Sequence, residues 1–189
     1  APALFDALAV QAVPMLGDFK PQNFSNTAWA FATAEHKVPT LFDALAAEAV
    51  PRLGELTPQA LSNTAWAFAT AEHAAPALFD ALAAEAVPRL DNFDPQALSN
   101  MAWAFAKAEH AAPELFDALA AEAVPLLGEF NPQDLSNTAW AFATLAHTPP
   151  ALFAAIAREA AGRLHDFNEQ ELANLAWACA VVDAHDAGL

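Results

Sequence analysis

Residues 62–73 read SNTAWAFATAEH, and the same phrase stands at 25–36. It returns as SNMAWAFAKAEH at 99–110, as SNTAWAFATLAH at 136–147 and, degraded, as ANLAWACAVVDA at 173–184. Trp29, Trp66, Trp103, Trp140 and Trp177 are each 37 residues apart. A fixed period in this range marks an array of stacked units, each burying its apolar face on the next.

One unit, 38–74, shows how the phrase is used. PTLFDALAAEAVPRL reads as a first helix, A, with Pro39 in the first turn, where a missing N–H costs nothing. Leu41, Phe42, Leu45, Ala49 and Leu53 form its apolar stripe. Pro51 ends or kinks this helix in its last turn, as Pro14, Pro88 and Pro125 do in theirs, and Gly54 is placed to cap it. A second helix, B, opens on Thr57-Pro58-Gln59, with equivalents at Asp94-Pro95-Gln96 and Asn131-Pro132-Gln133. A capping side chain followed by proline is a helix start signal. Leu61, Ala65 and Phe68 line one face of helix B, Trp66 and Ala69 the next, and Gln59, Asn63 and Thr70 the most polar one. A helix apolar over more than half its circumference is buried on two sides.

The expected fold is therefore all-α: a right-handed αα-hairpin solenoid of five 37-residue repeats at 1–37, 38–74, 75–111, 112–148 and 149–185. Residues 1–189 form one such domain, read as a segment of a longer array. The fifth unit departs from the others, with Ala154 for Asp, Gly162 and Glu169 for Pro, and Cys179 for Phe, as terminal repeats do.

Composition narrows the function. Alanine is abundant and favours closely packed helices. The formal charge is −16, from 23 acidic and 7 basic residues, which repels phosphate backbones and anionic membranes. No apolar run approaches the roughly 18 residues of a membrane span. Cys179 stands alone, so no intrachain disulfide framework exists, and no targeting segment is seen ahead of the first repeat.

Stacking sets equivalent side chains in rows. The tryptophans read as the packing ridge between units, off the ligand face, because alanines around them leave room for a large ring. Asn26, Asn63, Asn100, Asn137 and Asn174, with Gln22, Gln59, Gln96, Gln133 and Gln170 one turn earlier, have two readings. They form a hydrogen-bond ladder between hairpins, or they read base edges. Three rows vary between units and are the candidates for ligand selection: Asn23, Ala60, Ala97, Asp134, Glu171; Thr27, Thr64, Met101, Thr138, Leu175; and Thr33, Thr70, Lys107, Thr144, Val181.

His36, His73, His110 and His147 stand at helix C-termini, where the dipole favours them. Rows about 10 Å apart cannot share a zinc with ligands at ~2 Å, so no metal site is expected. No phosphate loop or nucleophile motif occurs, and the carboxylates repeat with the array instead of clustering once. No catalytic residue, cofactor or small-molecule substrate is expected, and the chain reads as a non-enzyme. Arg52, Arg89 and Arg163 read as paired with Glu48, Glu85 and Glu159. So few free cations favour a protein partner over nucleic acid.

PQ-x-L-S-N-T-A-W-A-F-A, as at 58–69 and 132–143, resembles the heptatricopeptide and octotricopeptide repeats of the RAP-associated family, across essentially the whole chain. The resemblance implies an α-solenoid that binds single-stranded RNA in organellar RNA processing, stability or translation, in the mitochondrion or chloroplast. The alternative function is a protein–protein scaffold subunit of an organellar complex, without membrane insertion.

Overall fold

The computed structural model describes residues 2–186; Ala1 and residues 187–189 of the expected domain lie outside it. The described residues are helical, with no strand among them. The A helices are α1 (Pro2–Ala12), α3 (Pro39–Ala49), α5 (Pro76–Ala86), α7 (Pro113–Leu126) and α9 (Pro150–Ala161). The B helices alternate with them as α2 (Pro21–Thr33), α4 (Pro58–Thr70), α6 (Pro95–Lys107), α8 (Pro132–Thr144) and α10 (Glu169–Asp186). Every helix but α10 begins on a proline, where the absent N–H is one the first turn would leave unpaired anyway. Thr57, Asp94 and Asn131 cap their B helices by accepting from the N–H three residues on.

Neighbouring helices pack as in a helical-repeat solenoid. The five B helices lie side by side along their lengths, whereas each later A helix meets the end segment of the preceding unit. The core runs through both layers. It is built from Leu41, Phe42, Leu61 and Phe68 of one unit and their equivalents in the next.

The α-helix ends just ahead of Pro14, Pro51 and Pro88, as the sequence predicts, and the chain then continues in a tighter form. Pro51 has no N–H for the carbonyl one turn back, and the backbone tightens into a 3-10 segment, Val50–Glu55. Val13–Asp18 and Val87–Asn92 repeat this, whereas α7 continues through Pro125. Gly54 lies inside its 3-10 segment without left-handed backbone, so it is not the cap it was expected to be.

The left-handed residue sits instead at the end of helix B, and it is not glycine. Glu35, Glu72, Glu109 and Ala146 have φ of 52, 54, 52 and 53°. Each closes a Schellman turn; the His110 N–H donates to the Phe105 carbonyl at 2.9 Å and the Glu109 N–H to the Ala106 carbonyl at 3.1 Å. The residue after the turn is the histidine of the row. His36, His73, His110 and His147 reach back to Asp6, Asp43, Asp80 and Asp117 of the paired A helix at 2.7–2.9 Å. Each ring also packs on the two phenylalanines that join the helices, as His73 does on Phe42 at 5.5 Å and Phe68 at 5.9 Å. The histidine is thus a clasp within the hairpin, a role beyond the dipole that helix position alone suggested.

Ala146→Gly should raise stability by roughly 0.5–1 kcal/mol, because glycine removes the steric cost of left-handed backbone. His110→Ala should lower it by roughly 1–2 kcal/mol, and Asp80→Asn by less than about 0.5, since the carboxylate is exposed and the ring is packed. Urea unfolding of the three variants checks the order.

Candidate functional site

Each inner B helix, α4, α6 and α8, meets a B helix on each side and helix A behind, and one arc remains uncovered. On α4 that arc holds Gln59, Asn63, Trp66 and Thr70, the residues between Pro58 and Ala71 that are not fully buried. Their spacing of four, three and four residues is one straight line along a helix. The same four positions on the other B helices make a stripe across the array, each carrying Gln, Asn, Trp and then Thr33, Lys107, Thr144 or Val181.

The tryptophans therefore belong to the exposed face. Trp66, Trp103 and Trp140 pack partly against the core, as a ridge should, but they also line the stripe. Their ring centroids follow one another at 6.4 Å, with interplanar angles of 29° and 35°. Trp29 and Trp177 at the two ends are 48% and 45% exposed. The alanines beside them, read as space for the ring, are the surfaces on which adjacent B helices touch.

The amide row joins them there. Asn26 is exposed and Asn63, Asn100, Asn137 and Asn174 are half-buried, with the glutamines exposed one turn earlier. Among the described residues no protein group hydrogen-bonds the side-chain amides of Asn63, Asn100 or Asn137, so the expected ladder between hairpins does not form there.

Two of the three variable rows lie off this stripe. Thr64, Met101, Thr138 and Leu175 are buried between B helices, and Thr27 is half-buried. The Thr64 hydroxyl turns inward to the Ala60 carbonyl at 2.7 Å. In the other row Ala60, Ala97 and Asp134 are also buried. Asp134 accepts from the Asn131 N–H at 3.2 Å in a capping box and from the Ser99 hydroxyl of the preceding unit at 3.0 Å. Variation in these rows reflects local packing. Of the three, only the row containing Lys107 stays on the stripe.

The basic residues are mostly engaged elsewhere. Arg89 pairs with Glu85 at 2.8 Å as expected, but Arg52 pairs with Glu55 and lies 5.0 Å over Phe24 instead of reaching Glu48. Arg163 donates to the Leu127 carbonyl at 3.2 Å, not to Glu159. Arg89 likewise donates to the Leu56 carbonyl, so these arginines tie one unit to the unit before. Lys107 lies 3.9 Å from Glu72, which Lys37 also holds at 2.7 Å. The lysine hydrogen bond first, and then both lysine charges, keep the Glu72 carboxyl below its ordinary range.

Two other features carry less. A cleft of about 380 Å³ lies between Glu72, His73 and Lys107, but a second of about 340 Å³ lies one unit earlier beside His36 and Glu72. Such clefts come from the junction between successive turns and mark no singular pocket. Burial, and then Asp183, push the Cys179 thiol up, away from the thiolate a nucleophile needs.

These features define a helical-repeat protein whose B helices present a row of half-exposed indoles and amides. The chain belongs to the family of the RNA-editing substrate-binding complex 6 protein, whose family model matches residues 2–112, more than half its length. The match does not confirm the heptatricopeptide or octotricopeptide assignment that the repeated motif resembles. No curated protein matches the chain.

Asp134 gives a test of the packing. Burial raises its carboxyl above the ordinary value, against the hydrogen bonds from Asn131 and Ser99. A raised carboxyl contributes stability that is complete below the unfolded value, near pH 4, and is lost as pH rises through the folded value. Asp134→Ala, which restores the alanine of units two and three, should abolish that decline. Unfolding midpoints measured from about pH 4 upward would show parallel curves for the two proteins if the proposal is wrong.

Proposed function

We propose that the chain is a non-enzymatic interaction module of an RNA-editing substrate-binding assembly, with the B-helix stripe as its contact face. One observation carries the reading: in a chain of charge −16, the four stripe positions of all five units hold no carboxylate. Half-exposed indoles and unpaired amides on tightly packed helices are a preorganised surface, and little side-chain entropy is lost when they bind. Membership of the family supports the assembly. RNA-editing complexes of this kind support the mitochondrion, and nothing supports the chloroplast. No helix among the described residues is long and apolar enough to cross a membrane.

A second reading, single-stranded RNA bound directly, is favoured by the indoles and by Lys107, since aromatic faces stack on bases. Two measurements separate the readings. Tagged chain recovered from mitochondria should bring down editing-assembly proteins that survive ribonuclease treatment; recovery of RNA without a stable protein partner would sink the scaffold form. Titration against single-stranded RNA at several salt concentrations tests direct contact. Any such binding should weaken little with salt, by a log–log slope of about 1 if Lys107 is the main phosphate contact. No binding even at low salt removes RNA as the direct ligand of these residues.

A further inference from the structure

We propose that the stripe holds an extended polypeptide segment rich in lysine and arginine, supplied by another component of the assembly. The inference rests on the contact-face reading above and names its occupant.

The amides suit a peptide backbone. An extended chain presents N–H donors and C=O acceptors along its length, and each Asn or Gln side chain offers both partners. Asn63, Asn100 and Asn137 are half-buried, aligned and without protein hydrogen bonds among the described residues. Backbone recognition is the same at every step, which explains why Gln and Asn stand at all five units without change.

The indoles fit the side chains. Trp66, Trp103 and Trp140 repeat at 6.4 Å. An extended chain advances about 3.3 Å per residue, so every second side chain recurs at about 6.6 Å and meets successive rings. Lysine and arginine lay their methylene stems on aromatic surface and keep the charged head free.

The charges select the sign. Both ends of the stripe carry carboxylates. Glu35, Glu72 and Glu109 follow it by two residues, and Asp18, Glu55, Glu129 and Asp166 precede it by four, all exposed. Lys107 already shows the contact within the chain: it occupies the last stripe position of α6, and its ammonium lies 3.9 Å from Glu72 of the unit before. At the equivalent places beside Glu35 and Glu109 the stripe has Thr70 and Thr144, and those two carboxylates make no ion pair among the described residues. A partner's lysines would complete the row. The rims also hold Lys20 and Lys37 but stay net negative, so they repel a phosphate backbone, which meets one stripe cation, Lys107.

The test uses the full chain and three fluorescein-labelled probes: an alternating Lys-Ser peptide about fourteen residues long, its Glu-Ser counterpart, and an oligo(U) RNA of similar length. The Lys-Ser peptide should bind and the other two should not. Asn63→Ala with Asn100→Ala should weaken it about tenfold or more, as should Trp103→Ala. Glu48→Gln with Glu114→Gln, on exposed positions of the A helices, should change it less than about twofold. If Trp103→Ala unfolds the array, the asparagine pair, half-exposed and unbonded, decides alone.

Equal weakening by the glutamate pair and none by the asparagine pair would show diffuse attraction to an acidic protein and overturn the proposal. So would oligo(U) binding that the asparagine pair abolishes. Either result leaves recovery with the editing assembly untouched, whereas failure of that recovery removes the contact-module reading itself.

Discussion

The contact between neighbouring B helices is the constraint on which the rest depends. It is lined by alanine: Ala65, Ala67 and Ala69 on α4, and Ala102, Ala104 and Ala106 on α6, are all buried. Small side chains allow helix axes to approach closely, and a layer packed this way has little room to adjust. Of the large residues between these alanines, Phe68 turns into the core against Phe42, and Trp66 is carried to the edge of the uncovered arc, where successive ring centroids lie 6.4 Å apart. The stripe is thus a product of the packing. A larger side chain at Ala67 would separate the helices and the indoles together.

Close packing also dictates how polar groups are satisfied. Helix ends fall at every junction and cannot be left unpaired. Threonine, aspartate or asparagine caps the start of three B helices, and a Schellman turn closes the end of four. The clasp of histidine on aspartate then fixes A to B within a unit, and Arg89 and Arg163 reach carbonyls of the unit before. Most of the charged side chains that might have been free for a ligand are used in this way. On the stripe itself what remains free is mostly neutral, amide and indole, while carboxylates such as Glu35 and Glu109, unpaired among the described residues, stand beyond its end.

Much of the architecture was legible in the sequence because repetition and punctuation are local signals. The period of Trp66 and Trp103, and the proline after Thr57 and Asp94, give helices and their order directly. The orientation of helix B was not legible. Hydrophobicity placed Trp66 on a buried face and Thr64 on an open one; Thr64 is buried and Trp66 is half-buried, packed on the core while bordering an uncovered arc that only the packing defines. One signal in the sequence went unused. The fifth unit has Ala154 in place of the aspartate and Ala184 in place of the histidine, so the two residues of the clasp are absent together. Paired loss in one unit is what a direct contact produces.

Net charge is a property of the whole chain, and the stripe departs from it. Composition treats the charge as spread over the molecule, but an interface responds to what lies within about a Debye length, ~8 Å at physiological salt. Here the carboxylates sit on the A helices and at the ends of the B helices, and the stripe between them holds no carboxylate and one cation, Lys107. On the proposed reading the acidity does not describe the contact face; it guards it. A surface of exposed indoles in an RNA-rich setting would stack on single-stranded bases without selection. Carboxylates along both edges oppose that encounter at long range while leaving the short-range chemistry of amide and ring unchanged. Specificity then comes from rejecting the wrong polymer as much as from binding the right one, and a partner bearing the opposite charge meets attraction where RNA meets repulsion.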